Sequence, residues 1–591
     1  MTSPNAPYGI SLLWPDVFER RTAASEEAFH TADLNLDPLL DVLSIEGRFR
    51  QSVQHLLARP VSDPVVLNYR LDVIEDLLRT PDLVTTLEEA LGLITTLESY
   101  MVQPQWEQSE LRKVAWRLSE LENYVHCVNH LHIALTDCGS ALRSAALCAL
   151  RDMVTAIAQE EDFLALKAEL PAMLEQIRGI KSITIGVNLD SQLRPVEATL
   201  LSVNTTRFTG EVMSFFNRLL GINNEIRPSN EGIGPLHKAK SRSTSMGEYN
   251  VRLPQTDNPL MHPLFKDLAD VMDQICQPIA AALRKFVRVN GRLLVALQDE
   301  IAFYLGAVRL MRHLTDCGLP TCRPQIAPLE DRVCHMTGAY NVNLALRMAP
   351  FYRARDLRND IITNDVHFGE EGRIFILTGP NRGGKTTYTQ ALGLAHILMQ
   401  AGLFVPATSA TMSPVDGIFT HFAAEERLDL ETGRLGEEAR RLSEIFAHAT
   451  RHSLILFNES LASTSAGESL YLARDIVRVV RLLGARAVFA THLHELAADA
   501  DEINAETEGD SKVVSLVSMV MVEKAADGET ARRTYKIVPS APMGRSYARE
   551  IALRYGISFD QLKSSLQARH QIPPDSNGTH PAPEEQHISA D

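Results

Sequence analysis

Positive charge, cysteine and long apolar runs are all scarce in this chain, and each scarcity removes a class of function. Lys and Arg total 58 against 74 Asp and Glu, a formal net charge of −16. A uniformly acidic surface repels nucleic acid, so any nucleic-acid role has to rest on a local basic face. Seven cysteines are scattered over 591 residues, with no C-x-x-C pair. That pattern excludes a disulfide framework or a zinc ribbon and fits reduced thiols in a cytoplasm. His126, Cys127 and His130 stand at helical spacing without a further ligand pair, and read as ordinary helix surface or core. No apolar run is long and charge-free enough to span a bilayer, so no membrane role is expected. Met1 to Trp14 lacks the basic segment and apolar core of a signal peptide. What remains is an ordinary composition, 45% hydrophobic and 22% charged, on a chain long enough for several domains.

The apolar periodicity divides the chain. Residues 1–35 are Pro-punctuated and read as an irregular lead-in. From Leu36 a helical period sets in, broken at Arg59-Pro60 and at Pro81, and continues in patterns such as Glu107 to Thr136 and Asp162 to Ile177. Alternation replaces it at Ser182 to Asn188 and in the β-prone run Val196 to Val203, a small β hairpin inserted between helices. His237-Lys238-Ala239-Lys240-Ser241-Arg242 makes a basic, hydroxyl-rich loop, either a solvated surface or a phosphate contact. Leu293, Leu294, Leu297, Ile301, Leu305 and Val308 form an apolar stripe. An unbroken helix from Ile279 to Leu314 would be a rod of about 50 Å, a natural lever. From Asp360 the pattern becomes α/β, with Val513–Val522 and Thr534–Val538 as a hairpin turned near Asp527-Gly528. Residues 567–591 read as a disordered tail.

One stretch carries explicit chemistry. Ile374-Phe375-Ile376-Leu377-Thr378 is an apolar run of the kind found in buried parallel strands. Gly379-Pro380-Asn381-Arg382-Gly383-Gly384-Lys385-Thr386 follows with the spacing G-x-x-x-x-G-K-T, and a helical pattern begins at Thr387. Strand, glycine loop and helix in that order form a P-loop, whose backbone N–H groups cradle a polyphosphate. Lys385 is expected to reach the β- and γ-phosphates of ATP, and Thr386 to ligate Mg²⁺. A second apolar strand ends in Asn458-Glu459 and a third in Thr491-His492. Ligands of open α/β sheets sit at strand C-termini. Glu459 is therefore expected to activate the attacking water and His492 to sense the γ-phosphate. Asn458 stands where a metal-holding Asp is usual; it can hold Mg²⁺ through a water, with one negative charge fewer.

These residues also carry a family resemblance. Thr378 to Tyr388 is similar to the P-loop of the MutS DNA mismatch-repair family, with its G-P-N-x-G-G-K-[ST]. Phe404-Val405-Pro406-Ala407, Ala490-Thr491-His492 with Glu495-Leu496, Ser463-Thr464-Ser465 and Gly544-Arg545-Ser546-Tyr547-Ala548 are similar too, as are Leu57 to Asp63 and Arg70-Leu71-Asp72. The resemblance implies a multidomain protein: an all-α core and lever region over 36–350, with a reduced clamp-like β insertion at about 181–253, then an ABC-type α/β P-loop ATPase domain over 351–566. It implies a homodimer with composite ATP sites and DNA as partner. It also implies that the mismatch-reading and connector domains of the family are missing, so DNA shape or branching is the expected target. The partner-site loop, G-x-S-T-F in the family, reads Gly433-Arg434-Leu435-Gly436 here; Leu435 has no hydroxyl to donate, and backbone N–H groups near Gly436 could replace it. Arg207, Arg227, Lys238, Lys240 and Arg242 are the candidate phosphate contacts. Two other readings stay open: a nucleotide-binding scaffold with little turnover, and an ABC-type machine on ribosomes or other nucleic-acid assemblies.

Overall fold

In a computed structural model the chain divides into two compact units. The structure describes residues 9–15, 31–59, 61–101, 110–193, 195–211, 231–233, 276–286, 291–350, 353, 355–423, 433–461, 465–525, 528–542, 556–569 and 571. The first unit comprises Met1–Glu26, Asp37–Asp316 and Leu398–Phe404; the second comprises Glu27–Leu36, Cys317–Ile397 and Val405–Asp591. Among the described residues no helix is long and apolar enough to cross a membrane, and all seven cysteines are free thiols.

The first unit is built of helices, and its caps are written in the sequence. Asp63 opens the helix Pro64–Arg79, its side chain accepting the N–H of Val65, with Pro64 at the first position, where no N–H is needed. Val66, Leu67, Leu71, Ile74 and Leu77 bury the face that the apolar spacing marks out. Asp76, on the same helix, accepts the N–H groups of Arg143 at 2.8 Å and Ser144 at 2.7 Å, so one helix secures the start of another, Ala145–Gln159. Arg70 is fully buried; it donates to the carbonyls of Leu13 and Ala401 and stacks over Trp14. Cys127 is buried within the helix Glu110–Asp137, and His130 pairs with Glu89.

The single rod expected from Ile279 to Leu314 is corrected. A 3-10 turn occupies Arg284–Phe286, a short helix Arg292–Ala296 starts after Gly291, and Gln298–Asp316 is a separate helix. The apolar stripe from Leu293 to Val308 runs across the junction at Leu297, so the side-chain period continues where the backbone is divided into two helices. Helix Gln298–Asp316 is buried over most of its length, and a Cβ on Gly306 would lie 1.9 Å from the Leu43 carbonyl oxygen.

The β insertion of this unit is a two-stranded antiparallel ribbon, β1 (Ser182–Leu189) and β2 (Pro195–Asn204), followed by β3 (Thr209–Glu211) paired in parallel with β4 (Glu231–Ile233). Its alternation sorts the two faces. Thr184 and Asn188 bond across to Asn204 and Glu197 on the polar one. The apolar side chains include Val187 and Val196, which stay exposed at 48% and 62%.

Among the described residues the second unit holds two sheets. Their strands are β5 (Gln325–Ile326), β6 (Cys334–Ala339), β7 (Asn364–Phe368), β8 (Ile374–Thr378), β9 (Ser409–Met412), β10 (Ile418–Phe422), β11 (Leu454–Asn458), β12 (Arg486–Ala490), β13 (Val513–Ala525) and β14 (Gly528–Pro539). The larger sheet has the order β10-β11-β12-β8-β13-β14; the first five strands are parallel, and β14 returns antiparallel on β13. Every residue of β8, β10, β11 and β12 is buried, as their unbroken apolar runs require. Of the smaller sheet, β5-β9-β6-β7, the strands β5 and β6 lie in sequence that reads as helical core up to residue 350. The α/β unit therefore begins at Cys317 and not near Asp360. Strands of two to six residues give too few alternations to register as a period. The segment Glu27–Leu36 also belongs here: Asp33 accepts the Phe422 N–H at 3.2 Å and the Arg441 guanidinium at 2.8 Å.

Candidate nucleotide site

The loop after β8 turns where side chains are missing. Gly379 has φ 144°, and a Cβ there would lie 2.7 Å from that of Ser518. A Cβ on Gly383 would lie 2.8 Å from the Pro380 oxygen, and the Ser518 hydroxyl donates to the Gly383 carbonyl at 2.7 Å. Ser518, on β13, is thus a loop brace that no sequence motif announces. Asn341 is another: its side chain donates to the Thr387 carbonyl at 3.1 Å and accepts the Leu344 N–H at 2.9 Å, capping the helix Val342–Met348.

Lys385 opens the helix Lys385–Gln400 and folds back over the loop, donating to the carbonyls of Gly379 at 3.1 Å and Pro380 at 3.3 Å. Burial lowers its pKa, opposed by the Glu459 carboxylate. The Thr386 hydroxyl donates to the Asn458 side-chain oxygen at 2.9 Å. At the adjoining strand end, His492 Nε2 donates to Glu459 Oε1 at 3.1 Å. That hydrogen bond holds the Glu459 carboxyl below its ordinary pKa, with burial opposing and the Lys385 charge assisting. Because that nitrogen already gives its proton to Glu459, it offers no lone pair to the ammonium 3.3 Å away, and the two loop carbonyls serve Lys385 instead.

Backbone bonds fix these ends together. Glu459 N–H donates to Ala490 O at 2.8 Å, and Thr491 N–H to Leu377 O at 2.9 Å. Glu459 and Leu461 have φ of 53° and 64°, left-handed values that cost a non-glycine residue about 1–3 kcal/mol each. The loop faces a cavity of about 480 Å³, lined among others by Arg382, Gly384, Thr386, Thr387, Glu459 and Tyr535. Tyr535, also left-handed at φ 57°, lies near Gly384 and was not marked by the sequence reading. A cavity of this size takes a nucleotide-sized ligand. The hydroxyl and amide oxygen of Thr386 and Asn458 are hard oxygen donors of the kind Mg²⁺ prefers, so the donor set fits that ion.

Of the remaining candidates, Gly433, Arg434, Leu435 and Gly436 form the first turn of the helix Gly433–His448. Arg207 follows β2 and is exposed. Arg227, Lys238, Lys240 and Arg242 lie outside the described residues, as do Ser463, Thr464 and Gly544 to Ala548.

The family profile described as MutS domain V matches residues 375–556, and the one described as MutS2 N-terminal domain matches residues 62–317. A DNA mismatch repair protein MutS of Chlorobium chlorochromatii is 26% identical over 524 residues, 86% of this chain and 55% of that protein. Another, of Rhodopirellula baltica, is 26% identical over 459 residues, 75% of this chain and 48% of that protein. An endonuclease MutS2 of Thermus thermophilus is 34% identical over 213 residues, 36% of this chain and 27% of that protein. The chain spans about half or less of the length of these curated relatives.

Proposed function

The chain belongs to the MutS family, and from that premise we propose that it is a DNA-binding ATPase that works as a homodimer. The observation that carries the reading is the meeting of four side chains at one sheet edge: Thr386 bonded to Asn458, and Glu459 bonded to His492, beside the glycine loop. Such a set supports phosphoryl transfer to water, which needs positioning and charge stabilisation more than covalent chemistry. The loop N–H groups and Lys385 bind the phosphates of ATP. Glu459, kept ionised by His492 and Lys385, takes a proton from the attacking water. His492 sits within reach of both Glu459 and Lys385 and registers whether the terminal phosphate is present. Mg²⁺, held by Thr386 and through water by Asn458, would neutralise the phosphate charge. Gly433 to Gly436, at a helix start, offer backbone N–H groups to the partner's nucleotide. Closure of the paired ATPase domains drives the helical levers, and Arg207, Arg227, Lys238, Lys240 and Arg242 contact DNA phosphates.

Two measurements test this. Steady-state ATP hydrolysis should depend on Glu459, and a titration with duplex, mismatched and branched DNA should give a salt-sensitive affinity that changes with ATP. Turnover equal to that of Glu459→Ala, with nucleotide still bound, would favour a second reading, a nucleotide-gated scaffold. The neutral Asn458 beside Thr386 is the feature that recommends it.

A further inference from the structure

Glu459 is held from behind as well as by His492. Immediately after it, Ser460 is buried; its hydroxyl lies 2.7 Å from His421 Nδ1 and 2.9 Å from the His421 carbonyl oxygen. His421, on β10, is wholly buried, and its other ring nitrogen lies 3.2 Å from the Glu438 carbonyl oxygen. A carbonyl can only accept, so in the neutral ring the proton sits on Nε2, and the single Ser460 hydroxyl proton is shared between Nδ1 and the His421 carbonyl oxygen. Burial, with the nearby Arg441 charge, keeps the ring neutral down to a pKa of about 4, which suits that assignment. Glu438 belongs to the helix Gly433–His448, which Arg441 fastens to β10 by donating to the carbonyls of Phe422 and Thr420.

The path is continuous: helix Gly433–His448, His421, Ser460, Glu459. Glu459 and Leu461 are both left-handed, and Ser460 between them carries the one side chain of the three that is bonded to a neighbouring strand. We propose that Ser460 and His421 are positioning residues for Glu459, fixing the left-handed turn that aims its carboxylate and tying that turn to the helix that begins at Gly433. The inference rests on the proposed role of Glu459 as the group that activates water.

The experiment compares Ser460→Ala, His421→Phe and the hydroxyl-retaining Ser460→Thr with wild type and Glu459→Ala. It measures kcat and KM for ATP hydrolysis, affinity for a fluorescent ATP analogue, and the thermal midpoint. Ser460→Ala and His421→Phe should lower kcat about ten- to a hundredfold, the usual penalty for an ångström-scale displacement of a reacting group. KM and analogue affinity should stay within about twofold, because the phosphate cradle is untouched. Ser460→Thr should recover most of kcat. Wild-type turnover no faster than Glu459→Ala overturns the role of Glu459 and the inference with it. Turnover that depends on Glu459 but survives Ser460→Ala overturns the inference alone, and so does a loss of kcat matched by an equal loss of nucleotide affinity. If His421→Phe fails to fold, Ser460→Ala, which removes one oxygen, decides the question.

Discussion

The two ends of the central sheet use polar side chains in opposite ways. Near the starts of the strands, arginines bond to backbone carbonyls. Arg486, fully buried, donates to the carbonyls of Val333, Ser413, Pro414 and His452. Arg481 donates to those of Thr507, Ser511 and Asn504. At the ends of the strands, Glu459 and His492 keep about 40% of their side chains exposed and bond mainly to one another. A buried guanidinium spread over neutral carbonyls is a structural clasp. A carboxylate–imidazole pair at the rim of a cavity keeps acceptor capacity for something else. The difference lies in what each group has left to offer, since both ends are rich in polar atoms.

Substitutions should separate the two ends. The largest effect is expected for Glu459→Ala, a fall in kcat of about a thousandfold with the thermal midpoint little changed, measured by steady-state hydrolysis and calorimetry. Arg486→Met should do the reverse, lowering stability to urea by about 4 kcal/mol because it strands buried carbonyls, while KM for ATP stays near wild type in the folded fraction. A stability loss from Glu459→Ala as large as that of Arg486→Met would erase the distinction.

Next comes pH. His396, buried in the helix Lys385–Gln400, donates Nδ1–H to Leu392 O, and its Nε2 meets no partner. Burial, reinforced by the Arg486 charge, drops its pKa from 6.5 to about 3. Its folded value is the lower one, so the unfolded chain takes up the proton first. Stability is full above about pH 6.5 and declines as pH falls toward the folded value, by roughly 3 kcal/mol at pH 4. His396→Asn should flatten that limb in denaturation curves recorded from pH 7 to 4; an unchanged slope would mean that the histidine already charges in the folded state. The smallest effect is expected for Asn458→Asp, which adds a charge beside Thr386 and should tighten magnesium dependence on the order of tenfold, read from a metal titration of turnover.

The local half of the site was legible in the sequence. Gly379 to Thr386 between an apolar strand and a helix has few alternative structures, and Asn458, Glu459 and His492 fall at strand ends that the apolar runs mark. What escaped was non-local. Ser518, Asn341 and Tyr535 approach the loop from elements more than thirty residues away, and nothing in their neighbourhoods distinguishes them. The smaller sheet escaped because its strands are short, and Asp33 because its partners, Phe422 and Arg441, follow it by 389 and 408 positions. The broken rod shows the opposite error: a side-chain stripe can persist across a backbone interruption, so periodicity alone overstates helix length.

The ribbon β1–β2 has a practical consequence. A two-stranded ribbon whose Val187, Leu189, Val196 and Leu201 are exposed sits near the limit of independent stability, so this element should open far more readily than the sheets of the second unit. Lys181 and Arg207, which bracket it, are both exposed. Brief trypsin digestion should therefore cut at these two points early and excise residues 182–207, leaving a nicked molecule whose nucleotide-handling half is chemically intact, a ready reagent for separating what each half does.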